Sequence, residues 1–384
     1  MAEFLSAWMT LVFAATCWVY AREVMFQKSQ AAGAESARNA AIRAAYIAIA
    51  AATVSFAYRL FFIAAGISAI MATGRDARTS QLLLSLVILV LICGGHLLIE
   101  RAAKGVSLFV VDRKLHLNRT PLSLFAADTA KGLLVSAAFG MPLIAGWSWL
   151  MQRESGLWWI PAWALWFALL SIRMLVKPQI EALLFSAQRD LPEGLLRSRV
   201  ENVLQRCGIA VGSLHVVDAS KRTSRVNASV TGLGANKKII LHDTLVEQLS
   251  ASEVEAVVAH EAGHIHHRHL GKAWAGLGVL GLASAYAIAQ AIDVTKLAPA
   301  EAIGLVLAAY PSALLCLRPA IVRLLRSFEF QADAFAAKHC GATALQAALR
   351  KIFAANHGVW EHDWIYAAVF ASHPSGRERI LRLQ

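Results

Sequence analysis

Charged side chains are scarce in this chain. Asp, Glu, Lys and Arg make up 16% of its 384 residues, against 57% hydrophobic residues. A soluble domain carries about a quarter charged residues, so a water-solvated enzyme is excluded. The mean hydropathy of +0.52 points the same way, to a membrane protein. Cysteine is sparse as well. The five (Cys17, Cys93, Cys207, Cys316 and Cys340) are odd in number and unpatterned, which excludes a disulfide framework and a thiolate zinc site. The first residues lack a basic n-region and a small-residue cleavage site, so the first apolar run reads as a retained helix rather than a signal peptide. Negative charge is the scarcer sign, and the net charge is +12. Because the bases are scattered between apolar runs, they read as membrane-flanking loops, and no nucleic-acid partner is expected.

What the chain has in quantity is long apolar runs. Runs able to cross ~30 Å of hydrocarbon lie at about 4–21, 44–72, 81–99, 132–151, 157–176, 273–293 and 302–322. The second is overlong and carries Arg59 near its middle, either snorkelling from a tilted helix or facing a polar interior. Loops 22–43 and 100–131 hold Arg22, Lys28, Arg38, Arg43, Arg101, Lys104, Arg113, Lys114, Arg119 and Lys131. The alternate loops offer only Arg75, Arg78, Arg153 and Lys296, so the richer set is assigned to the cytosol. With seven spans, the polar segment 177–272 and the tail 323–384 fall on that side too.

The polar segment reads as a small α+β domain. Apolar spacing predicts a helix over 193–207, and Leu214–Val217, Ser224–Thr231 and Lys238–Leu241 read as strands. The last two are joined through a turn at Gly232–Asn236. A strand at the edge of such a sheet can pair with an extended peptide whatever its side chains. Ser250 and Glu253 then form a capping-box signature before a helix that bears His260-Glu261-Ala262-Gly263-His264.

This H-E-x-x-H pattern carries the chemistry. Histidines four apart on a helix lie about 40° from a shared face and ~6 Å apart in rise, so both imidazoles can hold one zinc ion. Glu261 points beside the metal, where a general base belongs. Zinc then needs a third protein ligand. The best candidate is Glu329, with Asp333 one turn on to orient a histidine through its free N–H. His267 is a rival ligand, while His266 and His269 are expected to be solvated or at the headgroups.

Further motifs run in one order over 100–384: Phe109–Lys114 with Leu117–Arg119, Lys131–Leu134, Leu191–Gly194, Asp218–Arg222, Asn227-Ala228, Leu241–Leu245, Arg326, Glu329–Asp333 and Ser372–Pro374 with Glu378-Arg379. In these the chain resembles the integral-membrane zinc metalloproteases of the type 1 CAAX prenyl protease family. The resemblance implies a mainly α, multi-pass fold of about seven tilted transmembrane helices forming a polar chamber, with the zinc site at its cytosolic end. It implies Glu261 as base and Glu329 as third ligand, Asn227 on the peptide-binding edge strand, and His373 near the oxyanion. Ser229 stands where the family often has an aromatic residue. Arg379 is expected as the charge partner of Asp333.

The resulting division is 1–176 (five spans), 177–272 (metalloprotease segment), 273–322 (a transmembrane hairpin) and 323–384 (a tail completing the site). The expected function is zinc-dependent peptide hydrolysis with one Zn2+ per chain. Its substrates are peptides or proteins, in the family's case lipid-modified, and membrane lipids surround it. A broad quality-control protease of membrane proteins and a non-catalytic metal-binding protein are the alternatives.

Overall fold

The computed structural model describes residues 2–30, 35–63, 78–153, 156–185, 188–210, 212–231 and 237–384. Arg75, the 64–72 part of the second predicted span and the Gly232–Asn236 turn lie outside the described residues. Among the described residues, seven helices are long and apolar enough to cross a membrane. They are α1 (Ala2–Ser29), α2 (Glu35–Phe61), the run from α3 (Arg78–Leu89) through α4 (Gly95–Val106), α5 (Leu122–Met151), α6 (Trp159–Leu184), α10 (His269–Thr295) and α11 (Pro299–Cys340). Between α10 and the fifth span come β1 (Gln188–Asp190), α7 (Leu195–Arg206), β2 (Ser213–Val217), β3 (Ala228–Thr231), β4 (Lys238–His242), α8 (Asp243–Gln248) and α9 (Ala251–His266). The chain closes with α12 (Ala342–Ala355), α13 (Trp364–Phe370) and α14 (Gly376–Arg382).

The spans are apolar all round, and they are tied to one another by a few buried polar groups. Arg59 is one of these. It is buried in the last turn of α2 and donates to Ala308 O at 3.3 Å and Ser312 Oγ at 3.2 Å on α11, so it faces the protein rather than snorkelling. Trp163 donates to Gly278 O and Trp274 to Ser171 Oγ, which fastens α6 to α10. Glu23 on α1 accepts from the Asp363 amide at 2.9 Å and sits 2.8 Å from His362 Nδ1. The first helix thereby anchors the tail segment that leads to His373.

The seventh span and the helix expected after it are one element. Nothing stops α11 between them, because Pro311 and Pro319 are absorbed within it. Its 42 residues rise ~63 Å, roughly twice a hydrocarbon core, so its C-terminal half projects beyond the bilayer and carries Glu329 out with it.

The four strands run in the order β1-β2-β4-β3, with β2 and β4 parallel and the other pairs antiparallel. The sequence pattern missed β1, three residues too short and polar to show alternation. Ile239 and Leu241 of β4, Val200 and Val203 of α7, Val254 and Val258 of α9, and Leu345 of α12 form one buried core. This core fixes α9 from three sides. Its start is fixed too, because the Ser250–Glu253 capping box forms and Glu253 also pairs with Lys351 at 2.7 Å. Such a cap contributes about 1 kcal/mol.

Candidate metal centre

α9 and α11 cross at Gly263. A Cβ there would lie 2.9 Å from Ala332 Cα, so only glycine lets the two backbones come this close. The close crossing brings Glu329 against the histidines. Its Oε2 is 3.7 Å from His260 Nε2 and its Oε1 3.5 Å from His264 Nε2, and the two Nε2 atoms are 3.2 Å apart. One ligand atom from each of the three residues falls within a 4.8 Å group, the one such group of three or more among the described residues.

The donor set fits a zinc ion. His260 Nδ1 donates to Asp333 Oδ1 at 2.9 Å, which leaves the Nε2 lone pair facing His264 and Glu329. Burial holds the His264 imidazole down to about 4, in the neutral form that ligates. Two imidazoles and a carboxylate with an open fourth position are the donor set of catalytic zinc sites.

A second layer holds the first. Arg379 grips Asp333 with two hydrogen bonds, Nε to Oδ2 at 2.8 Å and Nη2 to Oδ1 at 2.5 Å, and both side chains are buried. Arg379 rides on α14, whose first turn is closed by the Ser375–Glu378 capping box, and Arg326 of α11 pairs with Glu378. His373 Nδ1 lies 3.0 Å from Glu329 Oε2, a contact that raises the pKa of the imidazole.

The other histidine is held differently, and here the sequence reading is corrected. His269 is neither solvated nor at the headgroups. It is buried, its Nδ1 is 3.0 Å from His264 Nδ1, its ring stacks on Phe328 at 4.2 Å, and its Nε2 is 3.3 Å from Gln331 Oε1. Extending the helix past His266 would put His269 about 140° round from His264. Instead Arg268 adopts a left-handed conformation (φ 54°), the helix breaks, and His269 swings back. His267, the rival ligand, ends α9 and stacks on His269, outside the converging group.

A cavity of about 810 Å3 opens in front of these residues. Glu261, His264 and His373 line it together with Asn227 and the β3 residues Ala228–Val230. β3 is the edge strand of the sheet, as the peptide-pairing reading requires. Glu261 is half-buried there, and burial raises its carboxyl above the ordinary glutamate value.

A family model described as "Peptidase family M48" matches residues 190–384, just over half of the chain. The chain belongs to this family. A second model, "CAAX prenyl protease N-terminal, five membrane helices", matches residues 21–186. Among curated relatives, the CAAX prenyl protease 1 homolog of Oryza sativa subsp. japonica is 32% identical over 290 residues, 72% of this chain and 68% of that protein. The homolog of Arabidopsis thaliana is 31% identical over 71% of this chain and 67% of its own. The crystal structure of S. mikatae Ste24p shares the fold, with a TM-score of 0.84 over 100% of this chain and 98% of that one at 22% identity. The chain is therefore an integral-membrane metalloprotease, which acts on peptide or protein substrates and sets aside the non-catalytic reading.

Proposed function

We propose that this metalloprotease binds one zinc ion through His260, His264 and Glu329 and cleaves lipid-modified or membrane-associated polypeptides near their C-termini, on the cytosolic side. The observation that carries the reading is the convergence of these three ligand atoms within 4.8 Å on the wall of a cavity that the open edge of β3 also lines. The relatives' printed name, CAAX prenyl protease, supports the lipid-modified class of substrate.

Zinc held there supplies Lewis acidity, polarising a peptide carbonyl and acidifying water toward a pKa of ~7. Glu261 takes the proton from the attacking water as its oxygen bonds to the carbonyl carbon. As the C–N bond breaks, Glu261 returns that proton to the leaving nitrogen. Asn227, beside the edge strand, holds the peptide, and His373 donates to the oxyanion that develops. Asp333 and Arg379 orient His260, and His269 orients His264.

In this reading 1–176 and the hairpin 273–322 form the membrane part, and 177–272 with 323–384 form the cytosolic part that completes the site. The excess of basic residues in loops 22–43 and 100–131 supports that orientation. Tags in 177–192 and at the C-terminus should be reached from the cytosol, and tags in 152–156 and 294–301 only from the opposite face. Substrate class is tested with purified protein and two peptides of one sequence, farnesylated and plain, with products read by mass spectrometry. Preferred cleavage beside the farnesylcysteine supports the proposal. Equal, scattered cleavage of both peptides moves the reading to a broad quality-control protease.

A further inference from the structure

The strand that leads into β3 has an outward row of backbone groups. His242 N–H donates to Asn227 O at 3.0 Å, and the antiparallel register with β4 continues from Ala228 to Thr231. Asn227, Ser229 and Thr231 therefore pair toward β4, while Ser224, Val226, Ala228 and Val230 turn their N–H and C=O groups outward. This row is filled from one end. Ser224 N–H donates to Leu117 O at 3.1 Å. Val226 is matched by a side chain: its N–H donates to Asn356 Oδ1 at 2.7 Å, and its C=O accepts from Asn356 Nδ2 at 2.9 Å. Beyond it, nothing among the described residues pairs with the outward groups of Ala228 and Val230, which face the cavity shared with His260 and Glu261.

A carboxamide carries one acceptor and a donor pair side by side, much as a peptide unit does. Asn356 thus stands where one residue of a fifth strand would stand. It is also held in place. Its N–H donates to Ile352 O at the end of α12, and its C=O accepts from Arg225 Nη1 at 3.3 Å. Arg225 in turn pairs with Asp112 at 2.8 Å.

We propose that Asn356 is a specificity-determining stop for the substrate strand. It rests on the reading that substrate pairs with the edge of β3. Pairing is open at Ala228 and Val230 and closed at Val226. On the side of the scissile bond that points toward Val226, the enzyme holds only a short extended segment, and a longer one must turn away. Substrates are thereby selected for few residues on that side, while the chain is free to run on past Val230.

The test uses one bond that the purified protein cleaves in the farnesylated peptide. Nested peptides add one residue at a time on each side of it, and KM and kcat are measured for each length. For the wild type, the fall in KM with length should end early on one side only. Asn356→Ala frees both Val226 groups, so that side should gain one further step. The added hydrogen bonds lower KM by about three- to tenfold with kcat little changed. Asn356→Asp still accepts from Val226 N–H but cannot donate to its C=O, so it should gain a smaller step, and it decides the matter if Asn356→Ala does not fold. A length profile left unchanged in the folded variant would overturn the stop. Peptides N-methylated at the residues expected to pair check the underlying reading separately. If N-methylation leaves KM unchanged in wild type and variant alike, edge pairing itself fails and the stop falls with it.

Discussion

His260 leans on a carboxylate: Asp333 accepts from its Nδ1 at 2.9 Å, and Arg379 clasps Asp333 from behind with a bidentate pair. His264 leans on another imidazole, the Nδ1 of His269 at 3.0 Å, whose ring is backed by Phe328 and whose far nitrogen meets a neutral carboxamide, Gln331. One half of the site is ionic and fully buried, and the other is neutral and aromatic. The difference follows from what each half can draw on. The ionic half is covered by α14 and α11, where a buried charge survives because it is paired and hydrogen-bonded. The neutral half lies at the break between α9 and α10, against the first turns of a membrane helix, where His269 is buried on the ring of Phe328. On the proposed reading, two ligands of one kind are held by two different chemistries.

The largest effect should come from a residue that serves both halves together. Glu329 touches both histidines, so Glu329→Ala should empty the site under mild chelation and abolish activity with it. Elemental analysis of zinc across a chelator titration, run beside the parent, checks this. Glu261 belongs to neither half. Glu261→Gln should keep its zinc and lose about 10²–10⁴-fold in kcat, the usual share of a general base. Equal loss of zinc and activity in that variant would make Glu261 a ligand and break the geometry.

How far each half was legible in the sequence follows the same divide. The ionic half could be read because its residues sit at unbroken helical spacing. His260 lies inside one helix and Glu329 and Asp333 inside another, so the direction of each along its own helix follows from 3.6 residues per turn, and an acid four residues after an acid is visible in the sequence. Seven spans were legible for a similar reason, since hydropathy needs only length. The neutral half was not legible, because His269 reaches His264 only through the left-handed Arg268, and nothing about an arginine announces that conformation. Run on as helix, the sequence sends His269 to the wrong face. The extent of α11 was misjudged for the opposite reason, a helix that did not stop where its apolar pattern did. The Asn356–Val226 contact joins residues 130 apart and has no sequence signature.

The next expectation separates Asp333 from Glu329, two acids one turn apart. Asp333 acts through His260 Nδ1, so Asp333→Ala should weaken zinc binding by only about 10–100-fold, the cost of losing an outer partner. It also removes the bidentate partner of the buried Arg379 and leaves it the longer 3.9 Å contact with Glu329, so some loss of thermal stability should accompany it. If Asp333→Ala gives up zinc more readily than Glu329→Ala, the two roles are exchanged and the third ligand must be reassigned.

The smallest effect is the most informative about the neutral half. His269→Phe keeps a ring of similar shape on Phe328 and removes both nitrogens, so packing is spared while His264 Nδ1 loses its partner. A neutral hydrogen bond contributes about 0.5–1.5 kcal/mol net, so zinc should bind about two- to tenfold more weakly, less than in Asp333→Ala. His269→Asn, which restores a polar group at that place, should recover part of the loss, whereas a purely structural role for the ring would leave it worse than phenylalanine. The double variant Asp333→Ala/His269→Phe completes the argument. Asp333 and His269 touch different histidines, and independent supports add to within about 0.5 kcal/mol. An additive loss means the ionic and neutral halves hold the metal separately. A loss well short of additive means that one imidazole released is already enough to release the other, and the two halves are a single unit.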